Sequence, residues 1–495
     1  MSLKSFFAKI FANVVVMQSQ KWIIQPKQSQ AKWFERLIAD AKYTQFGRDH
    51  LFTSIKTHED FVKQVPIRDY EALKPYIDEV VVGKENILWK GKPIYLAKTS
   101  GTTSGAKYIP ITKESMPYHV QGARDAILFY AQQTGKTQFV DGKMIFLQGS
   151  PILEEKGGIK FGRLSGIAAH YVPGYLQKNR LPSWETNCIE DWETKVEAVV
   201  KETINENMSV ISGIPSWVQM YFEKLTETSG KKIGDLFPNF NLFIYGGVNY
   251  EPYRMKFEQM IGRKVDSIEL FPASEGFFAF QDSQTDEGML LLLDAGIFYE
   301  FVKADEFFTE NPKRYTISEV ELGINYALII STNAGLWAYN IGDTVQFTSL
   351  QPYRIKVTGR IKHYISAFGE HVIGKEVEEA MQLACEKHHA IINEFTVAPQ
   401  ITPKEGLPYH EWFVEFENEP ADMTAFAQSI EQEMRRQNVY YDDLIVGNVL
   451  QSLKISKIPT NGFQEYMKSI GKLGGQNKLP RLSNNRKIAE FLEQL

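Results

Sequence analysis

Thr99-Ser100-Gly101-Thr102-Thr103-Ser104-Gly105-Ala106-Lys107 puts two glycines, five hydroxyl side chains and a lysine into nine residues. Ile94-Tyr95-Leu96-Ala97 before it and Tyr108-Ile109-Pro110-Ile111 after it read as short strands, so the stretch reads as the tip of a hairpin. Glycine lets backbone approach a ligand closely and turns successive N–H groups toward an anion. The hydroxyls add donors and Lys107 adds a point charge, which is the chemistry of a polyphosphate clamp. The same composition also makes an inert polar loop.

Working outward, the chain downstream alternates strand and helix. Residues 115–133 carry Met116, Val120, Ala123, Ile127 and Tyr130 at helical spacing. Residues 143–147 read as a buried strand, 157–174 as a glycine-rich loop and 184–205 as helix. Residues 210–216 read as a strand entering a turn and a helix start, and 242–247 as a strand running into Gly246-Gly247. This alternation predicts an α/β sheet with ligands at the carboxyl ends of its strands. Hydrophobic strands at 288–301 and 319–331 predict an antiparallel or β-barrel-like subdomain. After Gly359-Arg360 the texture changes to a small α+β pattern of helices (376–387, 423–436) and strands (394–398, 412–416). The expectation is a large domain at 1–360, with mixed and parallel sheets, and a small mobile one at 361–495.

A chain of 495 residues is long for one core. A net charge of −5 argues against nucleic acid as the main partner. Cys188 and Cys385 form no CxxC pair, which excludes a disulfide framework or zinc site and fits a reducing cytoplasm. No apolar run reaches the roughly 20 residues of a spanning helix. Lys4 and Lys9 before the apolar run 10–17 loosely mimic a signal peptide. Asn13 interrupts that run and no small-residue cleavage site follows, so an amphipathic helix docked on the body is expected.

Four further stretches bear on chemistry. In Phe271-Pro272-Ala273-Ser274-Glu275-Gly276 a glutamate follows a strand (265–270), where one carboxylate plus phosphate oxygens suits Mg²⁺. In Trp337-Ala338-Tyr339-Asn340-Ile341-Gly342-Asp343 the aspartate can accept from both ribose hydroxyls. Thr358-Gly359-Arg360 sits at the composition break, a hinge position. Gly474-Gly475-Gln476-Asn477-Lys478 puts a lysine on a glycine-flanked loop, able to neutralise developing charge. Gly369-Glu370-His371-Val372-Ile373-Gly374-Lys375-Glu376 fits the Walker spacing until Glu376, which stands where Ser or Thr binds the metal. His388-His389 are adjacent on a helix and point apart.

These stretches, in this order, resemble the adenylate-forming superfamily and, more narrowly, the Gretchen Hagen family of acyl acid amido synthetases known from plant auxin response. Phe271 to Glu275 resembles that family's Tyr-x-x-Ser-Glu motif and Tyr339 to Asp343 its Tyr-Arg-x-Gly-Asp motif. The tail Gly462-Phe463-Gln464-Glu465-Tyr466, then 476–481, is also similar. Phe271 and Asn340 depart from the motif's Tyr and Arg. Residues 368–372 look closer to bacterial relatives and to acyl-CoA synthetases, implying a bacterial source.

The resemblance implies an ATP-dependent ligase. It would convert a small carboxylic acid to an acyl-AMP, then pass the acyl group to an amino acid. An acyl-CoA ligase and a non-catalytic relative are the alternatives. By that resemblance Ser100, Gly101, Thr102 and Thr103 hold phosphates, and Glu275, beside Ser274, binds Mg²⁺. Asp343 takes the ribose, Phe271 and Tyr245-Gly246-Gly247 bracket adenine, Arg360 is a ribose or phosphate contact, and Lys478 meets the transition-state charge. Met116, Arg124, Val172, Tyr175 and Ile214 are acyl-wall candidates. Arg124 either pairs with a carboxylate or lies on the surface with its stem packed.

Overall fold

Tyr95–Thr99 (β1) and Lys107–Ile111 (β2) pair antiparallel, from Tyr95↔Ile111 to Thr99↔Lys107. The strands that flank the glycine-rich stretch are therefore those expected, and they bury Leu96, Ala97, Ile109 and Ile111. The computed structural model describes residues 2–99, 107–172, 178–247, 250–361, 364–365, 370, 372–447, 449–473, 478–483 and 485–495.

Lys143–Phe146 (β3) begins the large sheet. Glu154–Lys156 (β4) and Ile159–Gly162 (β5) join the first hairpin in the order β2-β1-β5-β4. Residues 157–174 are thus not simply looped. Gly157 and Gly158, at φ 59° and 71°, make the turn. Ile159 and Phe161 then alternate inward as a strand, and Leu164–Ala169 forms a short helix.

The large sheet continues with Arg180–Leu181 (β6), Met208–Ser212 (β7), Leu242–Gly246 (β8), Asp266–Ala273 (β9) and Gly276–Phe280 (β10). Met289–Leu291 (β11), Ile297–Lys303 (β12), Tyr315–Thr316 (β13), Asn325–Thr332 (β14), Tyr339–Leu350 (β15) and Tyr353–Arg360 (β16) complete it. Its 12 strands run in the order β13-β12-β14-β15-β16-β11-β10-β9-β8-β7-β3-β6. The run β6-β3-β7-β8-β9 is parallel, as strand–helix alternation predicts. Helices Trp192–Thr203 and Pro215–Ser229 meet through Trp192 and Trp217, ring centroids 4.6 Å apart.

The strands at 288–301 and 319–331 are antiparallel, as one of the two expectations had it, and the barrel-like alternative is corrected to a curl of this sheet. Ile297 on β12 reaches back toward Gly276 on β10, and the rings of Phe278 and Tyr299 lie 6.5 Å apart. β12 nevertheless bonds β13 and β14, so no barrel closes among the described residues.

Helix Met116–Thr134 packs on β10 through Gly122, where a Cβ would fall 2.5 Å from the Phe277 ring. Helix Leu3–Ile24 buries Ala12 and Val15 in the same core cluster and leaves Leu3, Phe7, Ile10 and Met17 exposed. No helix among the described residues is long and apolar enough to cross a membrane.

The chain divides into two compact units, Met1–Gly247 with Lys264–Lys356, and Val248–Arg263 with Val357–Leu495. The second unit holds the small pair Tyr364–Ile365 (β17) and Val372–Ile373 (β18). Its main sheet is Ile391–Gln400 (β19), Tyr409–Asn418 (β20) and Lys454–Lys457 (β21). Met381 and Phe426, from helices Gly374–His388 and Met423–Gln437, share a core with Phe395 and Trp412 of that sheet. Helix Glu251–Ile261 belongs to this unit. Its Tyr253 Oη donates to Glu394 Oε2 (3.0 Å) and its Lys256 Nζ to Asn393 Oδ1 (2.6 Å).

Candidate active site

The carboxyl ends of β7, β8 and β9 form one edge of the first unit. Their register aligns Ser212, Ile244 and Ile268 in a row. Beyond that row β7 ends in Gly213, β8 in Gly246-Gly247, and β9 in a turn made only of Ser274 and Glu275, since Gly276 already pairs with Ala273. Gly246 lies against β9, where a Cβ would sit 2.5 Å from the Leu270 carbonyl oxygen. Gly247 takes φ 87°, which favours glycine. Two backbone-accessible glycines thus neighbour a hairpin tip carrying a half-buried hydroxyl and carboxylate. Tyr245 and Phe271, read from the sequence as adenine neighbours, are both buried. Tyr245 stacks with Phe243 at 5.5 Å, and Phe271 meets Phe278 edge-on at 5.0 Å.

Asp343 is presented by a bulge in β15. Register with β14 jumps from Ile329↔Asn340 to Ala327↔Thr344, so Ile341, Gly342 and Asp343 face Leu328 alone. Asn340 shapes this bulge. Its Oδ1 accepts the Gly342 N–H at 2.9 Å, with Gly342 at φ 89°. Its own N–H donates to the Arg68 carbonyl (2.8 Å), while the Arg68 N–H donates to the Ala338 carbonyl (3.0 Å). The sequence showed a lost charge at Asn340; the structure shows a turn-forming carboxamide.

Arg68 was not singled out from the sequence. His50 Nδ1–H donates to the Phe46 carbonyl (2.8 Å), which leaves Nε2 to accept from Arg68 Nη2 (2.8 Å). Burial lowers the His50 pKa, and the neutral ring fits that acceptor role.

Of the remaining candidates, Ser100, Gly101, Thr102, Thr103 and Tyr175 lie outside the described residues. Lys107 Nζ lies 5.3 Å over the Tyr70 ring. Met116 is buried at the start of its helix, and Ile214 is the N-cap residue of Pro215–Ser229. Val172 lies three residues past helix Leu164–Ala169. Arg124 Nε donates to Asp125 Oδ1 (2.7 Å) and the guanidinium lies 6.0 Å over Phe11.

In the second unit, Arg360 is exposed at the end of β16 and Lys478 is exposed ahead of Pro480. The tail is hung on β19. Thr396 Oγ1 donates to the Pro480 carbonyl (2.7 Å) and the Val397 N–H to the Arg481 carbonyl (2.9 Å). Arg481 is the anchor, ion-paired with Glu378 (3.1 Å) and Glu394 and donating to Tyr253 Oη (2.7 Å). Glu376, which spoils the Walker spacing, accepts the Ile373 N–H (2.9 Å) at the start of its helix. Burial pushes its pKa up to about 7.

Three family models match the chain: the GH3 family N-terminal domain at residues 17–181, the central domain at 290–360 and the C-terminal domain at 375–487. A jasmonoyl–L-amino acid synthetase of Nicotiana attenuata is 22% identical over 353 residues, 58% of this chain and 60% of that protein. An indole-3-acetic acid-amido synthetase of Arabidopsis thaliana is 24% identical over 238 residues, 45% of this chain and 40% of that protein. The matched stretches therefore span less than two thirds of those relatives. Among solved structures, the GH3.15 acyl acid amido synthetase of Arabidopsis thaliana in complex with 2,4-DB superposes with TM-score 0.78 at 17% identity, covering 98% of this chain and 96% of that one. A 2-hydroxyisobutyryl-CoA ligase in the postadenylation state gives TM-score 0.57 at 12% identity, over 96% and 90%. At these identities the structural matches speak for the fold.

Proposed function

This chain belongs to the GH3 family, and from that premise we propose that it adenylates a small carboxylic acid with ATP and transfers the acyl group to the amine of an amino acid. In the first step a carboxylate oxygen attacks the α-phosphorus of ATP, the bond to the β-phosphate oxygen breaks, and pyrophosphate leaves. In the second the amine nitrogen attacks the acyl carbon, the bond to AMP breaks, and the nitrogen gives up a proton. The carboxylate is a poor electrophile; AMP makes the acyl carbon reactive by leaving readily.

The observation that carries the reading is the edge where Gly246-Gly247 and the Ser274–Glu275 tip meet at parallel strand ends, the usual place for a ligand in such sheets. In this reading backbone N–H groups at Gly246 and Gly247 approach the nucleotide, Asp343 accepts from the ribose hydroxyls, and Phe271 walls the adenine side. Ser100, Gly101, Thr102 and Thr103 hold the phosphates. Arg360 is a ribose or phosphate contact, and Lys478 meets charge that grows as pyrophosphate departs. The donor set fits Mg²⁺. One half-buried carboxylate, Glu275, would hold the ion together with phosphate oxygens and water. Bound there, the ion would neutralise phosphate charge; Glu275 would hold it against the hairpin tip.

The test is pyrophosphate release from Mg-ATP against a panel of aryl and alkyl acids, with the acyl-AMP sought by mass spectrometry. Acid-dependent release with the matching adenylate supports the reading. ATP binding without release for any acid would remove it.

A further inference from the structure

The carboxyl end of β3 carries positive charge that no carboxylate among the described residues balances. Arg163, Arg180 and Lys195 converge there, all within the first unit. Lys195 is only 3% exposed and donates to the carbonyls of Gln148 (3.0 Å) and Asn187 (2.7 Å), two of its three possible bonds. Arg163 lies against Gly149, its Cδ 2.8 Å from where a Cβ would stand. Arg180, next to β3 on β6, lies 5.7 Å over the Phe146 ring. Its Nη1 reaches the Ala169 carbonyl at 3.5 Å and its Nε has no partner among the described residues. Among the described residues none of the three cations has a carboxylate partner. Glu202, close in sequence, is taken by Ser183 (2.6 Å) and Thr186.

Three more buried polar atoms in the same place are unpartnered among the described residues: Gln148 Nε2, Ser165 Oγ and Asn187 Oδ1. All but Asn187 Oδ1 can donate. Burial, with the Arg163 charge adding to it, pushes Lys195 down to about 8. Lys195 is buried and Arg180 half-buried without a counter-charge, while Arg163 is exposed at the rim. A desolvated cation without counter-charge and buried donors without acceptors are each unfavourable, and one oxyanion relieves both.

The location gives this chemistry a use. Phe146 is in register with Ser212, so Gln148 follows the same carboxyl edge as Gly246-Gly247 and Glu275. β3 stands three strands from β9, roughly 14 Å at ordinary strand spacing. A carboxylate being adenylated must sit at the phosphates, so an anion at β3 is a different group of the ligand.

We infer that the end of β3 is a subsite for a second carboxylate, one that is not adenylated. Its source is either a dicarboxylic acid substrate or the amino-acid acceptor. The ligand's role rests on the ligase reading; the affinity for an oxyanion does not.

Two sets of measurements on the full chain separate these. Calorimetric titration with glutarate, glycine and inorganic phosphate, without ATP, compares the wild type with Arg163→Gln, Arg180→Gln and the charge-keeping Arg180→Lys. At least one of these anions binds the wild type, binds the glutamine variants tenfold or more weakly, and recovers in Arg180→Lys. Kinetics then assign the source. In the glutamine variants, either the glutarate-to-butyrate ratio of kcat/KM for pyrophosphate release falls tenfold or more, or the glycine-to-methylamine ratio for AMP release does. Failure of all three anions to bind the wild type would overturn the subsite. So would binding and both ratios unchanged in variants whose circular dichroism shows them folded. Absence of pyrophosphate release with every acid would instead defeat the ligase reading, and the titration would still decide the subsite.

Discussion

Replacing Asn340 by alanine should weaken ATP through a residue it does not replace. The Asn340 carboxamide accepts the Gly342 N–H at 2.9 Å and is 7% exposed. Truncation leaves that N–H without its acceptor inside a bulge whose centre, Gly342, is held at φ 89°. Losing the bond and stranding a donor costs about 1–3 kcal/mol. The bulge then relaxes toward regular pairing with β14, which withdraws Asp343 from the ribose contact proposed for it. A hydrogen bond to a carboxylate is worth about 1.5–3 kcal/mol, so KM for ATP should rise roughly 10- to 100-fold. The assay is acid-dependent pyrophosphate release with ATP and with 2′,3′-dideoxy-ATP. The dideoxy nucleotide already lacks the ribose contact, so the variant should add less than about a twofold further loss, as coupled sites require. Equal losses with both nucleotides would show that the bulge does not act through the ribose. No loss with either would refute the role given to Asn340.

Lys478→Ala should cut adenylation by orders of magnitude while leaving ATP affinity within a few fold, since the lysine is assigned to charge that develops only in the transition state. Pyrophosphate release at the wild-type rate would remove it from the mechanism. Gly246→Ala drives a Cβ to 2.5 Å from the Leu270 carbonyl oxygen. It should destabilise by about 1–3 kcal/mol and raise KM for ATP, read by thermal melting and kinetics; an unchanged melt would contradict the contact. His119, buried on helix Met116–Thr134 with Nδ1 unpartnered, has its pKa lowered by burial to about 4. The unfolded chain takes up that proton first as pH falls below the ordinary histidine value, so stability is lost from about pH 6.5 down toward 4, amounting to about 2 kcal/mol at pH 5. His119→Gln should flatten the fall in melting temperature between pH 7.5 and 5, whereas parallel curves would exclude His119 as its source.

What was legible in the sequence was what local pattern encodes. The strands around residues 99–107, the parallel run β3-β7-β8-β9 and the α+β texture after Arg360 follow from apolar period and turn residues. What was not legible depends on distant partners. Helix Glu251–Ile261 joins the second unit through Tyr253 and Lys256, whose partners Glu394 and Asn393 lie about 140 residues later. Arg481 reads as one more basic residue until Glu378, Glu394 and Tyr253 surround it. The curl that takes β12 back toward β10 without closing depends on the twist of the whole sheet, which alternation along single strands does not report. Within the candidate site, the glycines and Glu275 announced themselves by type and spacing. Asn340 looked like a deficit because its role is a bond to backbone two residues on, visible only once the bulge is seen. Arg163, Arg180 and Lys195 span more than 30 positions with no motif, and only folding gathers them at β3.

The central claim, amide formation through an adenylate, is tested most directly by the acceptor. With an acid that supports pyrophosphate release, AMP release would be measured with a mixture of amino acids and separately with CoA, and each product identified by mass spectrometry. The account predicts that amino acids accelerate AMP release and yield an N-acyl amino acid. Acceleration by CoA alone, with a thioester as the product, would contradict it.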